Sequence, residues 1–308
     1  MNKAIVVGSI NMDIVAFVIK HPHLGETVFA KDVKYFPGGK GANQAVSCKR
    51  LGCNTLMIGR LGDDQLGEQM MDFLQQEGID ISGVKKLKNM PTGTAFITVS
   101  ENSDNSIVVM SGANSIWDET FLDDVTINEG DVVLAQFEVP DEVIQKTFCK
   151  AKNCGAITML NPTPVRVVNK DTKELTDILI VNEHELKEIS GVSINVKNGD
   201  SVFKAAEQLE SDGYNSIIVT LGEKGVCVLD MGQRERMNSR SVIAVDTTGA
   251  GDTFIGGLAA GLLSGFNLTK AAELGNIAAS ISVTREGAAS SIPTFSEVNE
   301  ILSSNNEG

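Results

Sequence analysis

From Thr55 onward, short apolar runs alternate with longer amphipathic stretches, and this alternation limits the fold more than any other feature of the sequence. The apolar runs are Thr55–Gly59, Val132–Gln136, Ala156–Asn161, Ile178–Asn182, Ser216–Thr220 and Gly225–Leu229. Continuous apolar strands are what a parallel sheet covered on both faces requires. Helices are predicted over 66–77, 141–152, 184–189, 201–212, 252–264, 269–284 and 296–303. Ala4–Val7, closed by Gly8-Ser9, reads as a further central strand that starts the chain directly, with no targeting segment. Strands and helices in this order give an α/β fold, with helices covering a mostly parallel sheet. A chain of 308 residues can hold one large domain or a core with a smaller lobe. No repeat or low-complexity linker divides it, and only Ser303–Gly308 reads as a frayed tail.

Two regions break the alternation. Ile14–Ile19 and Thr27–Phe36 read as two strands about a turn, as do Thr94–Val99 and Ser106–Met110. Neither pair has a helical crossover, so each should be antiparallel, in a small separate sheet able to act as a lid. The expected organisation is a core of 1–13, 37–91 and 112–308 and a lid of 14–36 and 92–111.

Asp246-Thr247-Thr248-Gly249-Ala250-Gly251-Asp252-Thr253-Phe254 precedes an apolar, small-residue run through Leu263 that reads as a helix sunk in the core. Before it, Val242–Val245 reads as a buried strand end. The glycines permit a sharp turn, and the helix start offers free N–H groups and partial positive charge, a seat for phosphate. Asp252 in the first turn is favoured as a carboxylate there and is placed to take a proton from a hydroxyl. A tight turn with Asp252 as an ordinary cap remains the alternative. No Gly-Lys-Ser/Thr follows, so this is not a Walker loop, and the third glycine of a dinucleotide fingerprint is missing.

Other polar residues gather at predicted strand ends, where parallel sheets bind ligands. Asn11 and Asp13 follow the first strand, placed either for substrate or for an Asx turn. Gln136-Phe137-Glu138, Asn161-Pro162, Asn182-x-x-Glu185 and Thr220-Leu221-Gly222 end later ones. Glu185 is a candidate to hold Mg²⁺ through water or a surface glutamate beside Glu183 and Glu188. Pro37-Gly38-Gly39-Lys40-Gly41-Ala42-Asn43-Gln44-Ala45 opens a helical run through Leu51, as a flexible joint or as a backbone-lined pocket in which Asn43 and the Gly39 N–H bind a polyol.

Composition narrows the partners. A net charge of −14 argues against nucleic acid or an anionic membrane surface. No apolar run is long enough to span a bilayer. Five cysteines, an odd count with no signal peptide, predict reduced thiols in a cytoplasmic protein; without Cys-x-x-Cys, and with three histidines lacking zinc-site spacing, no metal site is expected from them.

Taken together, these motifs resemble the ribokinase branch of the PfkB sugar-kinase family. Gly38–Ala45 matches its early signature and Asp246–Phe254 its late one, in the right order and at a suitable separation. The likeness covers nearly the whole chain, including Gly8-Ser9-x-Asn11-x-Asp13, Pro22-x-x-Gly25-Glu26-Thr27, Thr92-Gly93, Ser111–Asn114, Asn182-Glu183 and Thr220-Leu221-Gly222-x-x-Gly225. It implies a three-layer α/β sandwich with a β-sheet lid and ATP-dependent phosphorylation of ribose at its primary hydroxyl. Asn11, Asp13, Gly39, Lys40, Asn43 and Glu138 would contact the sugar. Asp252 would be the base, and Gly249, Ala250 and Gly251 the anion hole. Asn182, Thr220, Gly222, Gly225, Gly251 and Asn276 would line the nucleotide, with Glu185 bearing on Mg²⁺. Asp246, Thr248, Ser282, Arg285, Gly287 and Ser291 would surround a monovalent cation, K⁺, several through backbone carbonyls. Ser282 and Thr163 stand where close relatives have alanine. The open edges of the lid predict a homodimer formed lid to lid. The rival substrates are fructose, a keto-deoxy sugar acid and a nucleoside. A catalytically silent sugar or nucleotide sensor and a nicotinamide-dependent oxidoreductase are rivals of other classes, and the turn after Gly8 lacks the glycine pattern of the last.

Overall fold

The computed structural model describes residues 2–102, 104–195 and 199–306. The N-terminal part runs β1 (Lys3–Val7), β2 (Asn11–Val18), β3 (Ala30–Gly38), α1 (Lys40–Arg50), β4 (Asn54–Gly62), α2 (Gln65–Gln76), β5 (Asp80–Leu87), β6 (Gly93–Val99) and β7 (Asn105–Met110). The middle holds β8 (Val132–Gln136), α3 (Asp141–Asn153), β9 (Ile157–Asn161), α4 (Lys170–Glu174), β10 (Ile178–Asn182), α5 (Glu183–Ser190), α6 (Gly199–Ser211), β11 (Ser216–Thr220), β12 (Val226–Asp230) and β13 (Gln233–Met237). Helices α7 (Ala250–Leu263), α8 (Leu268–Ser282) and α9 (Phe295–Asn306) follow.

Nine strands form one sheet, in the order β13-β12-β11-β10-β9-β8-β1-β4-β5. Pairing is parallel from β11 across to β5, and antiparallel only at β11–β12 and β12–β13. Alternation within β1 shows how the layers arise: Ala4 and Val6 belong to one core cluster, Ile5 and Val7 to the other. The first cluster packs under α1, α2, α7, α8 and α9, the second under α3, α5 and α6. The result is the three-layer α/β sandwich that the sequence predicts. Because β1, β8, β9, β10 and β11 run parallel, Gly8-Ser9, Gln136–Glu138, Asn161, Asn182 and Thr220 emerge at one edge.

The second sheet has the order β3-β2-β6-β7. The predicted pairs are antiparallel, β2 with β3 and β6 with β7, and a parallel β2–β6 pairing joins them. That pairing is parallel because the chain returns through the core between β3 and β6. Tyr35, Phe96 and Val108 stand in register on one face of this sheet and are all exposed, while Ile107 and Val109 point to the other face, where Val109 lines a pocket.

Helix α7 is buried from Asp252 to Gly261. Its glycines allow close contact with α8: a Cβ on Gly257 would lie 2.7 Å from the Gly275 Cα, and one on Gly261 2.6 Å from the Ala271 Cα.

Several features depart from the sequence expectation: the short α4 was not foreseen, and α9 continues to Asn306 through residues expected as a frayed tail. Strands β5 and β13 are unforeseen, since both are mostly half-buried or exposed edge strands without an apolar run. The β12–β13 hairpin turns on Met231 (φ 47°) and Gly232 (φ 80°), both left-handed. Val242–Val245, expected as a buried strand end, is instead irregular and exposed. Its side chains Val242 and Ala244 face a surface groove rather than the core. Among the described residues no helix is long and apolar enough to cross a membrane.

Candidate active site

Three cavities lie along the sheet edge. A groove of about 660 Å³ is lined by Thr220, Gly222, Gly225, Ala250, Gly251 and Asn276 with neighbouring residues. A pocket of about 440 Å³ under the small sheet is lined by Ser9, Asn11, Lys40, Asn114, Glu138 and Arg166 among others. A third, of about 230 Å³, contains Asp252, Glu185, Asn182 and Gly249, and it shares Lys40 with the second and Thr220 and Gly251 with the first. Asp252 therefore sits where two larger cavities meet.

The turn ahead of α7 explains its position. Gly249 takes the left-handed conformation at φ 73° as the helix cap, which favours glycine. The Ala250 N–H donates back to the Thr247 carbonyl at 3.2 Å. Gly251 and Asp252 follow in the first turn, where N–H groups have no intrahelical acceptor. Asp252 is 7% exposed. Burial raises its pKa, opposed by the charge of Lys40 and the hydrogen bond from Gln44, while Glu138 adds to the rise.

Helix α1 begins at the opposite wall. Gly39 (φ 90°) caps it, and a Cβ there would lie 2.7 Å from the Asn11 N. The Lys40 N–H donates to Glu138 Oε2 at 3.1 Å, and Ser9 Oγ donates to the same oxygen. Glu138 thus ties the start of α1 to the β1–β2 turn while facing the sugar-sized pocket. Asn11 is oriented by Asn114, whose Nδ2 donates to Asn11 Oδ1 at 2.7 Å. Asp13 stands on β2 with its carboxyl against Gly38. Burial, and then the charge of Glu138, push its pKa up to about 6.

Of the residues expected to contact a sugar, Asn11, Lys40 and Glu138 line this pocket and Asp13, Gly39 and Asn43 do not; Asn43 Nδ2 donates to Asp252 Oδ2 at 3.3 Å. Glu185 is not a surface glutamate. It is 6% exposed, its Oε2 accepts the Asn182 N–H at 2.8 Å, and Thr163 Oγ1 donates to its Oε1. Glu183 and Glu188 lack this burial. Asn182 spends its Oδ1 capping α5, accepting from the His184 and Glu185 N–H groups, both at 2.9 Å. Asn276 Nδ2 donates to the Asn238 carbonyl at 2.9 Å beside the groove.

Of the residues assigned to a monovalent cation, Asp246, Thr248 and Gly287 are joined by hydrogen bonds. Asp246 Oδ1 accepts from the N and Oγ1 of Thr248, and its Oδ2 accepts the Gly287 N–H at 2.9 Å. Burial alone would raise the Asp246 pKa, but these bonds outweigh it and hold it below the usual value. Ser291 is fully buried and the Ser282 carbonyl accepts from the Arg285 N–H. The Arg285 side chain pairs with Glu297. Among the described residues no three side chains of His, Cys, Asp or Glu form a metal cluster.

Comparison with known proteins places the chain among similar sequences and structures. Residues 1–295 match the family described as pfkB family carbohydrate kinase. A ribokinase of Haemophilus influenzae is 39% identical over 299 residues, covering 96% of this chain and 97% of that one. A deoxyribokinase of Salmonella typhi is 34% identical, covering 97% and 98%. The structure of an Arabidopsis thaliana ribokinase complexed with ribose and ATP superposes with a TM-score of 0.91 at 30% identity, covering 98% of this chain and 99% of that one.

Proposed function

The chain belongs to the pfkB family of carbohydrate kinases, and from that premise we propose that it transfers the γ-phosphate of ATP to the primary hydroxyl of D-ribose. One observation carries the reading: the cavity holding the buried Asp252 borders both the sugar-sized pocket, through Lys40, and the large groove, through Thr220 and Gly251. A hydroxyl bound from one side and a triphosphate from the other meet at that carboxylate.

Asn11, Asp13, Lys40 and Glu138 bind and orient the sugar, with Gly39 holding the wall that lets them approach. Asp252 accepts the hydroxyl proton as the oxygen attacks phosphorus in line with the departing ADP. The transition state of such transfers is loose, so positioning and charge stabilisation carry most of the rate. The turn Gly249-Ala250-Gly251 directs the α7 N-terminus at the phosphoryl oxygens as their charge shifts. Thr220, Gly222, Gly225 and Asn276 line the nucleotide, and Asn182 borders its phosphate end. The small sheet, 14–36 and 92–111, closes over the sugar and excludes water, a competing acceptor.

Glu185, a buried carboxylate facing this cavity, fits a water-mediated Mg²⁺ site completed by ATP phosphates. Asp246, held ionised beside Thr248 and Gly287, with Ser282, Arg285 and Ser291, would be the residues to hold K⁺. Bound there, the two cations supply positive charge near the phosphoryl group.

Arg166 is the additional cation a sugar acid would need, but it is engaged by Asp141 and by the Val139 carbonyl at 3.0 Å. That favours a neutral sugar. An assay of ADP release with ATP, Mg²⁺ and K⁺ over ribose, deoxyribose, fructose, a keto-deoxy sugar acid and nucleosides should give the highest kcat/KM with ribose. Preference for deoxyribose or a nucleoside would reassign the substrate; binding of sugar without transfer would make the chain a sensor.

The exposed apolar surface of the small sheet favours a homodimer joined through it, and the free cysteines fit a cytoplasmic setting. Light scattering should return twice the 32.8 kDa chain mass; a monomer defeats the dimer.

A further inference from the structure

Each carboxylate oxygen of Asp252 accepts one side-chain amide. Gln44 Nε2 lies 3.0 Å from Oδ1 and Asn43 Nδ2 lies 3.3 Å from Oδ2. Gln44 is itself held, because Gln136 Nε2 donates to its Oε1 at 2.5 Å. Both glutamines are 0% exposed. An amide nitrogen only donates and an amide oxygen only accepts, while a carboxylate only accepts. Gln44 must therefore turn its nitrogen to Asp252, which leaves its oxygen facing the interior. Gln136 is the donor that satisfies that oxygen; reversing either amide sets oxygen against oxygen.

Gln136 does this at a cost to itself. Its own Oε1 is buried with no hydrogen-bond partner among the described residues. That oxygen crowds Gly8 so closely that a Cβ there would come within 2.2 Å. An apolar side chain of the same shape would leave no such orphan. Neither glutamine lines the nucleotide groove, the sugar-sized pocket or the cavity between them.

We infer that Gln136, acting through Gln44, is a positioning residue that fixes the Asp252 carboxylate for proton acceptance, a role that rests on the kinase reading above. The charged groups facing the same carboxylate are Lys40 of α1, which favours ionisation, and Glu138 after β8, which opposes it. The amide relay adds neutral donors that favour the ionised form without contributing charge.

The test uses Gln44→Met and Gln136→Met in the full chain, each similar in shape but without the amide. Loss of a hydrogen bond to a charged acceptor should move the acid limb of the kcat profile up by about 1 pH unit in Gln44→Met. Sugar KM should be unchanged. Gln136→Met should move the limb the same way by less, since Gln44 loses its anchor but keeps its donor. Profiles that overlay the wild type in both variants overturn the inference, whatever happens to melting temperature. Should Gln44→Met not fold, Gln136→Met alone decides. A carbon-13 titration of the Asp252 carboxyl, assigned against Asp252→Asn, reads the same upward shift without turnover. A wild-type chain that phosphorylates no sugar therefore defeats the kinase reading, while an unmoved titration defeats the relay.

Discussion

Asp252→Asn is expected to lower kcat by about 10²–10⁴-fold while sugar affinity is largely kept. The substitution preserves shape but removes the proton acceptor. It also disturbs its surroundings in a defined way. Asp252 accepts amide N–H groups on both oxygens, from Gln44 and Asn43. An asparagine there turns one acceptor into a donor, so one of those amides faces a donor instead. The loose transition state places the loss toward the lower end of the range, because much of the rate comes from positioning and from the α7 N-terminus. The proposed sugar contacts, Asn11, Asp13, Lys40 and Glu138, all keep their side chains in this variant. Steady-state kinetics with calorimetric sugar titration separates these effects. Wild-type turnover in Asp252→Asn would end the role of that carboxylate as base. In the wild type, burial raises the Asp252 pKa. The base is therefore lost as pH falls through a value above the ordinary aspartate range, and kcat should decline on the acid side earlier than an exposed carboxylate would dictate.

Much of the fold was legible because buried parallel strands leave an apolar signature that survives without knowledge of their neighbours. Val132–Gln136 and Ile178–Asn182 are read to the residue for that reason. Strand β13, Gln-Arg-Glu-Arg-Met, carries no such signature: it is an edge strand defined by its hairpin partner and a left-handed Met231. Val242–Val245 misled for the converse reason: Val242 and Ala244 line a surface groove and Ile243 and Val245 are exposed, so none of them reaches the core. At the candidate site, the turn into α7 was legible because a sharp left-handed turn ahead of a buried helix calls for glycine, as at Gly249 (φ 73°). Glu185 was ambiguous among three nearby glutamates, and only the capping arrangement with Asn182 and the bond from Thr163 single it out. Asn114 and Gln136 were beyond reach as partners: the first meets Asn11 across 103 positions, the second meets Gln44 across 92. Side-chain amides at such separation leave no periodicity to read.

Asp13→Ala is expected to raise the sugar dissociation constant by about 10- to 100-fold, the loss of a charge-assisted hydrogen bond to the sugar. The pH behaviour of the wild type makes the prediction specific. Burial and the charge of Glu138 raise the Asp13 pKa to about 6. In the free chain the protonated form is thus favoured by folding. Its contribution to stability is complete below the unfolded pKa and is lost as pH rises through about 6. Sugar hydroxyls that donate to the carboxylate reverse this preference, because they stabilise the charged form and pull its pKa down. Binding near that pH should therefore expel up to one proton, seen as a buffer-dependent enthalpy in calorimetry. Affinity should be constant well above the raised pKa and fall as pH drops through it. Sugar should also raise the melting temperature more at about pH 8 than at about pH 5. All three effects should vanish in Asp13→Ala, leaving weak binding with a flat pH response. The alternative placement of Asp13, closing an Asx turn without touching ligand, predicts wild-type affinity and an unaltered pH response in the same variant. Glu138 is the internal control: its removal should lower the Asp13 pKa and move the wild-type pH response to more acidic values, even where its own loss weakens binding.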